Sequence, residues 1–250
     1  MAYSRLAYIY DVLMEDAPYD DWQRVVEYFI KELSPGNKKL IDLGCGTGKM
    51  SNRFAKAGYE VTGVDVSEDM LSFAQSTTNN KGESVHYIHQ DLRELEVMNK
   101  FDVAVSLCDV MNYITEEEEL YMVFQRVAKV LNHHGLFIFD VHSLNYLQQT
   151  IENQVFTEIY DDISYIWLCS EGEKMGEVVH DLTFFLQTEQ ENLYERFDET
   201  HRQRSFSTEI YQRLLERAGF QVNRICADFQ TEPLKNEEEA DRIFFICSKK

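Results

Sequence analysis

The sequence predicts an α/β protein built on a doubly wound, mostly parallel sheet that carries a small antiparallel β insertion. Three observations lead there. Between residues 38 and 142, short apolar runs alternate with amphipathic stretches, the rhythm of βαβ units whose helices cover both faces of a parallel sheet. The first apolar run feeds directly into a glycine-rich turn, GCGTG at Gly44–Gly48. Beyond residue 150 the rhythm gives way to aromatic and β-branched runs with turn-like breaks and no helical period.

Taken in order, residues 1–35 are aromatic-rich and helical and close at the turn signal SPGN. KLIDLG is the first strand, and KMSNRFAKAG is a helix ended by Gly58. YEVTGVD is a strand, followed by SEDMLSFAQSTT, a helix that Ser67 can cap. SVHYIHQD and FDVAVSLC are the next two strands. TEEEELYMVFQRVAKVLNHHG reads as one helix, with Thr115 and Glu118 spaced as a capping box and its acids suited to a helix N-terminus. His133 and His134 then fall at the helix end, and LFIFDVH is the next strand. Antiparallel strands fill about 154–206, STEIYQRLLERAGF is a helix ending at Gly219, and DRIFFICSKK is the last strand. The chain thus divides into an N-terminal helical lid (1–35), a sheet domain (36–150 and 206–250) and an antiparallel β insertion (151–205) on the acceptor side of the cleft.

With 250 residues and 44% apolar side chains, the chain can bury a sizeable core. Its net charge of -20 withholds the Lys and Arg field on which binding to a phosphate backbone depends, so nucleic acid is disfavoured as a partner. The acid blocks at Glu116–Glu119 and Asn236–Asp241 read as solvated surface. Charges interrupt every apolar run short of the roughly 18 residues of a membrane span, and the first residues lack the pattern of a secretory signal. Five cysteines without a CxxC pair argue against a disulfide framework and for a reducing, cytoplasmic setting. No spacing of His, Cys or acids reads as a metal site.

The glycine turn lies at the carboxyl end of the first strand, where open α/β sheets bind ligands. Glycine allows the tight turn and a close approach to the main chain, and the helix that follows presents unpaired N–H groups. Asp65, at the end of the second strand and roughly 20 residues on, stands where an acid holds a ribose diol. A dinucleotide fingerprint fails, because Lys49 occupies its third glycine or alanine position, and the spacing of a P-loop fails as well. The pattern is GxGxG: Gly44, Gly46 and Gly48.

With LIDLGCGTG, VTGVDVSEDML, HQDLREL and FDVAVSLCDVMNYI in this order, the chain resembles the class I S-adenosylmethionine-dependent methyltransferases over about residues 38–142. LNHHGLFIFDVHS and FSTEIYQRLLERAGF resemble that family's fifth-strand region and late helix. The resemblance implies a seven-stranded Rossmann-like sheet and S-adenosyl-L-methionine as cofactor. Carried over residue by residue, it puts Gly44, Cys45, Gly46 and Gly48 beside the methionine moiety, with Asp42 bracing the loop. It gives Asp65 the ribose hydroxyls, Val66 and Met70 the adenine pocket, Asp91 the adenine amino group and Leu92 the ring. Leu107 and Cys108 lie beside the cofactor at the end of strand four, Cys108 as a small buried hydrophobe.

The aromatic arm YSRLAYIYDVLMEDAPYDDW and the insertion after strand five resemble small-molecule N-methyltransferases of the glycine and amino-sugar types. In such enzymes the arm folds over the cofactor, which makes Tyr10, Tyr19 and Trp22 candidates to cover it. His142, just past the fifth strand, is the candidate base or acceptor contact. Tyr113 and Asn112 are further acceptor contacts. His201, Arg202 and Arg204 read as exposed strand residues, with the cleft as the alternative. The expected partner is a small-molecule acceptor, with a homodimer left open. RNA or protein methylation, and a non-catalytic S-adenosylmethionine-binding partner protein, are the competing readings.

Overall fold

The computed structural model describes residues 9–34, 36, 38–81, 84–188 and 193–250. The first eight residues of the expected lid lie outside them. Seven strands form the main sheet: β1 (Lys39–Leu43), β2 (Glu60–Asp65), β3 (Val85–His89), β4 (Phe101–Ser106), β5 (Leu131–His142), β10 (Phe220–Ala227) and β11 (Arg242–Lys249), in the order β10-β11-β5-β4-β1-β2-β3. The pairs β3–β2, β2–β1, β1–β4 and β4–β5 are parallel, and β11 runs antiparallel to both β5 and β10. A second sheet, β6 (Val155–Ile159), β7 (Ile163–Glu171), β8 (Glu177–Gln187) and β9 (Tyr194–Arg204), is an antiparallel meander.

Strand alternation sends side chains to the two faces of the main sheet. On one face Ile41, Phe137, Phe139 and Phe245 pack under α4 (Glu117–Val130) and α6 (Thr208–Arg217). On the other, Leu40, Val103, Ile138 and Phe244 pack under α1 (Tyr19–Leu33) and α2 (Lys49–Lys56). The same alternation places Asp42 and Asp140 on the α1–α2 face, and both are buried. α3 (Glu68–Lys81) leans on β2 and β3. Strand order reverses between β2 and β4 on either side of β1, which opens the ligand crevice of an α/β sheet above the carboxyl end of β1. No helix of the described residues is long and apolar enough to cross a membrane.

The second sheet turns one face inward, and two helical elements cover it. Ile9, Val12 and Leu13, in a helical segment over residues 9–13, pack on Ile163, Phe184 and Phe197. Leu147 and Tyr146, from α5 (Leu144–Asn153), pack on Cys169 and Val178.

Four elements depart from the sequence reading. α5 follows β5 directly, its N-terminus capped by the Ser143 hydroxyl, which accepts from Tyr146 N–H at 3.0 Å. β10 precedes the last strand and completes the seven. β5 begins at Leu131, so His133 and His134 belong to a bulge in a strand rather than to a helix end, with His134 at φ 62°. The capping box is absent: Glu116 is the N-cap of α4, its side chain pairs with Lys174 instead of capping the helix, and the Thr115 carbonyl accepts from Arg204 at 2.9 Å. Among the acids read as surface, Glu237 accepts from the backbone N–H of Thr208 at 3.2 Å and so serves the start of α6.

Candidate functional site

The three glycines of the loop all have positive φ, at 75°, 52° and 76° for Gly44, Gly46 and Gly48. Two of them answer to the protein's own packing. A side chain on Gly44 would collide with Val110, and one on Gly48 with the Tyr87 hydroxyl. Gly46 differs: a Cβ there meets nothing within 4 Å. Its backbone faces open space, and its N–H donates to Asp65 Oδ2 at 2.8 Å. Asp65 Oδ1 accepts from Ser67 N–H at 2.9 Å, so both oxygens are oriented by main chain while the carboxylate stays part-buried at the rim. Burial raises its pKa, and the bonds from Ser67 and Gly46 counter that.

Around this loop, Asp42 accepts from the Ser51 hydroxyl at 2.6 Å and ties β1 to α2. Burial pushes the Asp42 carboxyl up to about 6. Cys45 is buried, and burial raises its thiol far above the ordinary range. Val66 is 65% exposed beside Asp65, and Met70 lies part-buried one helical turn on. Leu92 is buried in a short turn that Asp91 caps. Asp91 is also paired with Arg93, whose hydrogen bonds hold its pKa down. The strand-end capping job of Asp91 is therefore present alongside whatever else it contacts.

The end of β4 carries a feature no sequence pattern announced. Cys108 and Asp109 both adopt left-handed backbone, φ 61° and 55°, a conformation that costs a non-glycine residue about 1–3 kcal/mol. Asp140 holds them there. Its Oδ1 accepts from Cys108 N–H at 3.0 Å and its Oδ2 from Asp109 N–H at 3.2 Å. It accepts as well from Trp22 Nε1 at 3.1 Å and from the Arg242 guanidinium. Burial and the nearby Asp109 raise the pKa of this fully buried carboxylate, and its bonds to Arg242 and to the Asp109 N–H counter that rise. Trp22 is thereby a core residue, 2% exposed, with Phe229 edge-on and Arg242 over its ring.

Arg242 continues to Asp109 Oδ1 at 3.1 Å, and Gln203 Nε2 donates to Asp109 Oδ2 at 2.9 Å. His142 Nε2 lies 3.3 Å from Asp109 Oδ1. Burial would raise the Asp109 pKa, but His142, Arg242 and Gln203 together hold it well below the carboxylate range. The His142 ring stacks on Tyr146 at 4.0 Å, and its Nδ1 is buried with no partner among the described residues. Asn112 is structural: it donates to the Arg204 carbonyl at 3.0 Å and accepts from His142 N–H at 2.9 Å, tying β4, β5 and β9 together. Tyr113 is half exposed and meets His201 edge-on. Tyr10 is raised by burial and by Cys108, Asp109, Tyr19 and Tyr113 around it, so it stands at the same place. Its neighbour Asp11 accepts from the Thr47 hydroxyl at 2.9 Å and pairs with Lys49 at 2.8 Å, fastening the N-terminal segment to the glycine loop. Leu107 is buried beneath.

Sequence reasoning missed Asp109, Asp140, Arg242, Gln203 and His180. The available signal was a lone charge in or beside an apolar strand, as at FIFDVH and DRIFF, because a charge that must be buried requires a partner.

His180 gives this half of the molecule a pH signature. Burial pulls its imidazole down to about 4. Between that value and the ordinary 6.5 the unfolded chain binds the proton and the folded one does not, so stability is lost as pH falls through the window. Asp42, raised to about 6, works in the opposite sense, losing stability as pH rises. The difference between wild type and His180→Gln isolates the histidine. Urea unfolding should show the wild-type advantage shrinking by about 2–3 kcal/mol from pH 7 to 4.5; parallel pH curves would refute the assignment.

Residues 40–135 match a family described as "Methyltransferase domain". A relative from Geobacillus sp. (strain WCH70), named "Putative methyltransferase GWCH70_2453", is 40% identical over 250 residues, with both chains fully covered. A glycine/sarcosine N-methyltransferase of Aphanothece halophytica is 32% identical over 117 residues, 46% of this chain and 44% of that one. Among solved structures, an S-adenosylmethionine-dependent methyltransferase from Clostridium acetobutylicum ATCC 824 superposes with a TM-score of 0.88 at 26% identity, over 100% of this chain and 99% of that one.

Proposed function

This chain belongs to the S-adenosylmethionine-dependent methyltransferases, and on that premise we propose that it methylates a small molecule at nitrogen, with His142 as the base. The carrying observation is the buried Asp109–His142 pair, whose other ring nitrogen, His142 Nδ1, has no partner among the described residues. Nε2 faces two groups, the Asp109 carboxylate at 3.3 Å, which only accepts, and the Arg242 guanidinium at 3.4 Å, which only donates. With the carboxylate as the partner of an Nε2 proton, the Nδ1 lone pair is left for an incoming proton.

The residues suited to the cofactor are Gly44, Cys45, Gly46 and Gly48 along the loop, with Asp42 as brace. Asp65 would hold the ribose, Val66, Met70, Asp91 and Leu92 the adenine side, and Leu107, Cys108 and Tyr10 the reacting end. The open space over Gly46 and the main-chain-oriented Asp65 carboxylate support that fit. When bound, the cofactor supplies a methyl carbon already activated by a positive sulfur. The chain's own task is then to align the acceptor, exclude water and free its lone pair. With His142 neutral, the buried group of Asp109, Asp140 and Arg242 has a net negative charge, which draws an ammonium inward. His142 Nδ1 takes its proton, and Tyr113 borders the exposed side. A net charge of -20, and an N-terminal segment packed on the insertion and fastened to the glycine loop, support a small acceptor over RNA. Five free cysteines accord with a cytosolic setting.

Calorimetry tests the cofactor half. Asp65→Ala should weaken S-adenosylmethionine binding by about 1.5–3 kcal/mol, and NAD should give no heat. Tight NAD binding without a signal from S-adenosylmethionine would reverse the assignment.

The arm is the proposed lid. The Asp11 contacts to Thr47 and Lys49 are two side-chain bonds between the N-terminal segment and the glycine loop, few enough for the segment to open locally. Hydrogen exchange should slow over residues 9–18 when S-adenosylmethionine binds, and change less over α1, which is part of the core, and over Leu40–Leu43. Equal protection of the arm in both states would mark it as fixed structure.

A further inference from the structure

The inner face of the insertion is apolar at both ends and polar in the middle. Ile163, Phe184 and Phe197 meet the N-terminal segment, and Cys169 and Val178 meet α5. Between these clusters the strand register sets His180 opposite His201 and Val178 opposite Gln203 on one face. Gln203 spends its amide N–H on Asp109. The middle of the sheet therefore faces the Asp109–His142 pair; the Gln203 side chain lies beside the His180 ring and favours its protonated form, and His201, Asp109 and His142 act on it electrostatically.

The state of the His180 ring follows from its neighbour. Trp167 Nε1, which can only donate, points at His180 Nδ1 at 3.0 Å. Nδ1 therefore carries the lone pair, and the proton of the neutral ring sits on Nε2. That N–H belongs to a side chain 6% exposed, and Nε2 has no partner among the described residues. A buried donor without an acceptor is costly, and few are found in folded proteins. Two such nitrogens occur in this region, an acceptor at His142 Nδ1 and a donor at His180 Nε2, on rings near enough for His142 to act electrostatically on His180.

We propose that the His180 Nε2–H is a specificity contact that selects a methyl acceptor carrying an uncharged oxygen close to its amine, an amino alcohol or amino carbonyl compound. This rests on the acceptor reading above. The oxygen takes the His180 hydrogen while the amine faces His142. A carboxylate in the same place meets the net negative charge of Asp109, Asp140 and Arg242, so amino acids are disfavoured. His180 is a binding group here and moves no proton.

The test uses the full chain loaded with S-adenosylhomocysteine and three probes: 2-aminoethanol, ethylamine, which lacks the oxygen, and glycine, which replaces the hydroxyl by a carboxylate. Binding is followed through the histidine ring nitrogens by NMR. The expected result is a proton resident on His180 Nε2, a shift of that nitrogen with 2-aminoethanol, and binding about tenfold or more tighter than either other probe. His180→Phe should erase the preference and His180→Gln, which keeps an N–H, should retain part of it. Equal binding of the three probes, no binding, or a proton on Nδ1 overturns the proposal, and the last needs only wild-type protein. His142→Gln separates the two readings: the base assignment fails if that variant transfers methyl groups as fast as wild type, whatever the probes show at His180.

Discussion

Replacing Arg242 by methionine is expected to destabilise the protein by about 3–5 kcal/mol, a large share of the 5–15 kcal/mol that holds a typical domain together. Arg242 is the cation that faces both Asp140 and Asp109, in a side chain 13% exposed. Removing it leaves a fully buried carboxylate, Asp140, facing only neutral donors. The same loss loosens the left-handed pair Cys108–Asp109, which Asp140 clamps. A second change tells an uncompensated charge from lost packing. Asp140→Asn added to Arg242→Met removes the stranded charge and should recover part of the loss. Urea unfolding of the three proteins measures this. A loss below about 1 kcal/mol in the single variant would mean the network is solvated and weak.

His142→Gln is expected to slow methyl transfer by about 10²–10⁴-fold, the usual worth of a positioned base, while leaving S-adenosylmethionine binding unchanged. The loss should shrink as pH rises, because an amine that deprotonates in solution no longer needs the histidine. Asp109→Asn should slow transfer less, since it disturbs the orientation of the ring and leaves Nδ1 in place. Rates are read as labelled methyl entering whichever fraction of a cell extract accepts it. A His142→Gln protein with wild-type rate at neutral pH would reduce His142 to a packing ring on Tyr146.

The parallel half of the fold was legible because each element carries its own local signal: apolar runs of strand length, Gly58 and Gly219 as stops, Ser67 as a start. β10 and α5 were not read. FQVNRICA alternates weakly and follows the helix stop at Gly219 without a gap, and α5 begins one residue after β5 with only Ser143 to mark it. The cofactor loop was legible as GxGxG, but the reason for its glycines was only partly so. At Gly44 and Gly48 the close neighbours are Val110 and Tyr87, and only Gly46 faces open space. The polar network was not legible, since Asp109, Asp140 and Arg242 come from three strand ends far apart in sequence, and nothing local marks them as partners. The same holds for His180, whose neutral ring is fixed by Trp167 on the adjacent strand.

The central claim is methyl transfer to a small amine, and one measurement reaches it directly. Purified protein is incubated with methyl-labelled S-adenosylmethionine and a cell extract divided by size into small molecules and macromolecules, and the labelled product is identified by mass spectrometry. We expect the label on a nitrogen of a compound in the small-molecule fraction, with little in the same fraction for His142→Gln. Label confined to RNA or protein, or label in no fraction, would contradict the account.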